Sequence, residues 1–75
     1  RGTEVFALFK HLPPGRVRVS LRSTGPAVNH VAALFGGGGH RLAAGLTVEG
    51  AGLEEARRQV LEALERQMAQ EAPGS

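Results

Sequence analysis

The chain has 75 residues, 41% of them hydrophobic, with no cysteine and with nine basic against seven acidic side chains. That is one small domain, which buries only roughly 60% of the surface its unfolded chain exposes; disulfides, thiolate zinc sites and general disorder are excluded. A net charge of +2 is too small to argue nucleic-acid binding from bulk charge, and no apolar run approaches the roughly 20 residues of a membrane span.

In chain order, Arg1-Gly2-Thr3-Glu4 is no signal peptide, so a soluble, cytoplasmic protein without membrane contact is expected, and the missing initial methionine suggests a piece of something longer. Val5-Phe6-Ala7-Leu8-Phe9 is a short apolar run that reads as a strand buried on both faces. Pro13-Pro14-Gly15 turns the chain. The alternation Arg16-Val17-Arg18-Val19-Ser20-Leu21-Arg22 predicts a strand with Val17, Val19 and Leu21 toward the core and Arg18, Ser20 and Arg22 on the other face. The two strands make an antiparallel hairpin.

Ser23-Thr24-Gly25-Pro26 reads as a helix start, with Thr24 or Gly25 capping and Pro26 in the first turn, and Val28, Val31, Ala32 and Phe35 recur at helical spacing. Gly36-Gly37-Gly38-Gly39 ends that helix as a loop. A helical turn at Leu42-Ala43-Ala44 and a third strand over Gly45-Leu46-Thr47-Val48-Glu49 follow. A last helix from Leu53 to Ala69 carries the apolar stripe Leu53, Ala56, Val60, Leu64, Met68, with Glu54 and Glu55 in its first turn and a Glu62–Arg66 pair. Residues 71–75 read as a frayed tail. The order β-β-α-β-α predicts a small two-layer α/β domain with a three-stranded mixed sheet, two helices and a right-handed strand-helix-strand crossover.

The charge is more telling in kind than in sum. Eight of the nine basic residues are Arg, and all seven acids are Glu, five of them in the last third of the chain. Arg16, Arg18, Arg22 and Arg41 therefore occupy a stretch without a single acid, and the guanidinium fork suits phosphate. Between Arg22 and Arg41 lie the four glycines, each costing ~0.5–1 kcal/mol relative to Ala in a regular element. Two readings stand for Gly36–Arg41. If His40 begins a helical turn, the glycine N–H groups converge on an anion beside His40 and Arg41; otherwise this is a flexible surface loop. Two readings also stand for Arg18, Ser20 and Arg22: an ordinary solvated edge face, or, with Ser23, a phosphate contact at a strand end that the glycine loop closes over. Asn29 lies near the helix start on the loop side; His11 and His30 read as solvated. Three dispersed His, no Asp and no Cys offer no metal site and no Ser-His-Asp arrangement, so no cofactor and no catalytic residue is expected in this chain.

Taken together, Arg16-Val17-Arg18-Val19-Ser20-Leu21-Arg22-Ser23, Val31-Ala32-Ala33-Leu34-Phe35 and Gly36-Gly37-Gly38-Gly39-His40-Arg41-Leu42-Ala43-Ala44-Gly45 resemble the C-terminal substrate-binding domain of DHH-family phosphoesterases, the DHH-associated domain. The similarity runs from Val5 to about Met68, within a domain taken as residues 1–70. The pattern is nearest to the enzymes that degrade very short oligoribonucleotides and dephosphorylate 3'-phosphoadenosine 5'-phosphate, then to RecJ-type single-strand DNA exonucleases. Cyclic dinucleotide phosphodiesterases share the glycine-His string but vary the residues after it. A more distant alternative is a nucleic-acid-binding module without chemistry, like the tRNA-contacting domain of alanyl-tRNA synthetases.

The resemblance implies a division of labour. An N-terminal catalytic domain, absent from this chain, holds manganese or magnesium and activates water. The DHH-associated domain binds a short single-stranded RNA or DNA, or a nucleoside bisphosphate, across the cleft. Carried over, Arg22 and Ser23 become phosphate contacts, Gly36, Gly37, Gly38 and Gly39 the cradle, and His40 and Arg41 the pair at its rim, with Asn29 and Arg18 as further candidates. Arg41 stands where many members have Lys, which keeps the charge and changes the geometry of contact.

Overall fold

Val17, Val19 and Leu21 alternate with Arg18, Ser20 and Arg22, and this alternation sets the layering of the molecule. In the computed structural model, which describes residues 4–71, strand β1 (Val5–Leu12) and strand β2 (Arg16–Ser23) form the expected hairpin around Pro13-Pro14-Gly15. Helix α1 (Asn29–Leu34) follows, then strands β3 (Gly38–His40) and β4 (Ala43–Glu49), and helix α2 (Leu53–Glu71) closes the chain. The sheet has four strands in the order β1-β2-β4-β3, and every hydrogen-bonded pair is antiparallel. The expected three-stranded mixed sheet is thus corrected to a four-stranded antiparallel one. β2 and β3 run parallel, joined through α1, but β4 lies between them.

The extra strand comes from the glycines. Gly36, Gly37 and the start of β3 were expected to be one loop with a helical turn to follow; instead His40 is a strand residue, and Leu42 is in a tight turn before β4. Ladder pairing of Gly38 with Gly45 and His40 with Ala43 is what decides this, an interaction between segments that local propensity does not register.

α1 starts later than expected. Thr24 does not cap it: its N–H donates to the Glu4 carbonyl and its hydroxyl accepts from the Glu4 N–H, which extends the β1–β2 ladder by one step. Gly25 donates to the Ser23 hydroxyl, and the helix begins after Val28 with no side-chain cap.

Both helices cover one face of the sheet. Val17, Val19 and Leu21 of β2, Leu46 and Val48 of β4, Val28 and Val31 ahead of and within α1, and Ala56, Val60 and Leu64 of α2 form one buried cluster. Each Val or Leu side chain among them, removed from water, contributes about 1.5–3 kcal/mol. Two expectations change here. β1 is buried on one face only, since Val5, Ala7 and Phe9 pack against the core while Phe6 is 55% and Leu8 72% exposed. The α2 stripe is buried only at Ala56, Val60 and Leu64; Leu53 and Met68 are exposed because the 19-residue helix outruns the core at both ends. Glu62 pairs with Arg58, not Arg66. Glu71 still belongs to α2, and residues 72–75 of the expected tail lie outside the described residues. Among the described residues no helix is long and apolar enough to cross a membrane.

Candidate functional site on the open sheet face

With both helices on one side, no described element covers the other side of the sheet. Directly opposed residues of antiparallel strands share a face. One row across this face reads Phe6, Arg22, Ala43, His40; the next reads Leu8, Ser20, Gly45, Gly38; the third reads Lys10, Arg18, Thr47. The middle of the face is therefore floored by small residues, and exposed cationic side chains stand around them. Within the strands the only carboxylate on this side is Glu49, opposite Arg16. Lys10 faces Arg18 directly, and like charges placed so repel; a bound anion would relieve that repulsion.

Arg18, Arg22 and His40 all stand on this floor, around its small residues. Arg22 and His40 flank Ala43 from opposite sides, two strand spacings or about 10 Å apart at the backbone. The Arg18 guanidinium lies over Gly45: a Cβ at that glycine would come within 2.8 Å of an Arg18 terminal nitrogen. Arg18 also donates to the Thr47 hydroxyl at 3.4 Å, which leans the head along β4.

The glycines do a different job from the anion nest. Gly36 sits at φ +81°, the left-handed residue that closes α1, donating to the Ala33 carbonyl while Gly37 donates to Ala32. Two of the four amides are thus used in capping the helix and do not point at a ligand. Gly37 and Gly39 also lie so close to β4 that an added Cβ would meet backbone at 2.1 and 2.6 Å. Gly38, like Gly36, has open space where its Cβ would be, and it faces the same side as His40.

Arg41 is exposed in the β3–β4 turn, and that turn is clamped: Val28 donates to the Arg41 carbonyl at 2.7 Å and Ser23 to the Leu42 carbonyl at 3.0 Å. These bonds hold the end of β2, the start of α1 and the glycine hairpin together. Ser23 is opposite Val5, on the helix side of the sheet, and its hydroxyl is engaged by Gly25. Asn29 opens α1 with its Oδ1 buried and lacking a hydrogen-bond partner. Of the sequence candidates, then, Arg18, Arg22, Gly38 and His40 share the open face, Arg41 borders it, Gly39 faces the helix side opposite buried Ala44, and Ser23, Asn29, Gly36 and Gly37 do not contribute side chains or free amides to it. The apolar run Val5–Phe9 hides Phe6 and Leu8, since such a run reads as a strand buried on both faces; Lys10, at even spacing from both, is the signal for an open face.

Among the described residues no three His, Cys, Asp or Glu side chains gather to hold a metal ion. The chemistry on offer is electrostatic: cations on a fixed, uncrowded floor, suited to a phosphate group. The model of one protein family, the DHHA1 domain, matches residues 1–70.

Proposed function

Because the chain belongs to the DHHA1 domain family, the accessory domain of DHH-family phosphoesterases, we propose that its open sheet face binds the terminal phosphate of a short single-stranded oligonucleotide or of a nucleoside bisphosphate such as 3'-phosphoadenosine 5'-phosphate. The parent enzyme is then a short-oligonucleotide exonuclease or bisphosphate phosphatase. Bond cleavage falls to a separate manganese- or magnesium-binding domain, and this chain supplies the grip.

The observation that carries this reading is the placement of Arg22 and His40 on either side of Ala43, on the same face as the Arg18 head over Gly45. Three donors of positive charge or N–H groups over a floor of small residues fit a group with several acceptor oxygens. The phosphate is held by β2 and β3 side chains above the small residues of β4, with Gly38 leaving room, and not by the glycine amides of the α1 cap.

The test is a titration of the chain with a 5'-phosphorylated dinucleotide and with 3'-phosphoadenosine 5'-phosphate, followed by amide NMR. Shifts are expected at Arg22, Gly38, His40, Ala43 and Gly45, and Arg22→Ala should abolish them. Shifts confined to α2, or binding unchanged in Arg22→Ala and His40→Ala, would overturn the proposal.

A further inference from the structure

The chain has three phenylalanines and neither Trp nor Tyr. Phe9 and Phe35 pack against the core, whereas Phe6 stands on the open face, 55% exposed. Its partner across the β1–β2 ladder is Arg22, so it occupies the same row as Arg22, Ala43 and His40. Directly opposed Cβ atoms lie about 5 Å apart. On the far side of His40 this row ends, since β3 is the sheet edge. A large apolar ring left in water costs a small domain burial that it has little of, and here it does so beside a cation.

We propose that Phe6 is a base-stacking platform: a nucleobase of the nucleotide whose phosphate is held by Arg22 and His40 lies against the Phe6 ring. This rests on the phosphate reading above and adds to it a contact to the base. The physical case is complementarity of two kinds side by side. Phosphate requires charge and N–H donors, which Arg22 and Arg18 and the His40 ring supply; a base requires a flat apolar surface, which Phe6 supplies next to them, with Leu8 (72% exposed) extending the apolar strip along β1. Aromatic rings on an exposed sheet stack unpaired bases in this way, and because every base has a π-face the contact tolerates any sequence. A paired base inside a duplex offers no such face, so the ligand is single-stranded.

The experiment uses the chain with two probes: a 5'-phosphorylated dinucleotide containing 2-aminopurine, and the same phosphodiester with its bases absent. Stacking on Phe6 is expected to change the 2-aminopurine fluorescence on binding. Phe6→Ala should remove that change and weaken the dinucleotide about tenfold, the lower part of the range for one stacked base, while leaving the abasic probe as it was. Phe6→Leu keeps apolar bulk without a ring and should behave like Phe6→Ala, which guards against a folding defect; circular dichroism checks both variants. Arg22→Ala should weaken both probes. If Arg22→Ala weakens both while the Phe6 variants bind the dinucleotide like the parent, stacking is refuted and the phosphate site stands. Equal loss of both probes in the Phe6 variants also refutes stacking, making Phe6 a support for Arg22 or a contact for another protein surface. If Arg22→Ala changes neither probe, the phosphate reading itself fails, and this inference with it.

Discussion

At the scale of single residues, the four consecutive glycines separate into distinct roles, and substitutions can tell them apart. Gly37→Ala drives a Cβ to 2.1 Å from the Gly45 carbonyl oxygen, a backbone atom that cannot step aside. The expected cost is about 3 kcal/mol or more, the upper end for overpacking, read as a lower midpoint in urea unfolding. Gly36→Ala places a methyl-bearing residue at φ +81° and should cost about 1–2 kcal/mol in the same measurement. Gly38→Ala meets open space, so its stability should stay within about 0.5 kcal/mol of the parent. Its new methyl stands beside Gly45 and His40 on the open face, and phosphate affinity should fall all the same. Gly45→Ala is intermediate in kind: the obstructing atoms are the far end of Arg18, which can swing away, so folding survives while Arg18 leaves the site. A Gly38→Ala protein that binds like the parent would place the ligand elsewhere. None of this division was legible in the string Gly-Gly-Gly-Gly, because what each glycine meets is decided by β4, several residues further on.

At the scale of elements, α2 has a local electrostatic contribution that acid should remove. Arg58 bonds the Glu55 carboxylate, Gln59 donates to it as well, and together they hold its pKa at about 2 against an ordinary 4.5, with burial opposing slightly. A carboxylate whose folded pKa is depressed stabilises the fold fully above its unfolded value and loses that contribution as pH falls through the folded one. The window is therefore from about 4.5 down to about 2. Glu55→Gln should flatten the acid-induced loss of helicity across that window by circular dichroism, and a helix that melts identically in both proteins would remove Glu55 from the account. The pair is solvent-exposed, so high salt should shrink the difference. The helix itself was legible from period and first-turn acids, Glu54 and Glu55. Its true buried stretch was not, since Leu53 and Met68 fit the same period as Val60 and are exposed only because the core stops short of them.

At the scale of the whole molecule, one covered and one open sheet face set what the domain can do. Binding on the open face neutralises phosphates with cations, so affinity should fall with salt, by a slope of about −0.7 in log–log form per contact with a single strand. Arg18→Ala or Arg22→Ala should each reduce that slope by about 0.7, measured by dinucleotide titration at several salt concentrations; a slope unaltered in both would mean the anion is held elsewhere. The sequence by itself determined the β1–β2 hairpin, the two-faced pattern of β2, both helices and the concentration of Arg away from acids, because these follow from period-two and helical spacing, turn residues and charge along a short stretch of chain. Its resemblance to the DHH-associated domain also agreed with the family match over residues 1–70. Only the tertiary structure decided that the second half of the glycine run becomes an edge strand, that Ser23 turns to the helix side while Arg22 does not, and that Phe6 and Lys10 join Arg18, Arg22 and His40 on one surface. The reason is register: which residues of four distant segments lie opposite one another is settled by backbone pairing and burial between segments, and a slip of one residue would send every one of these side chains to the other face.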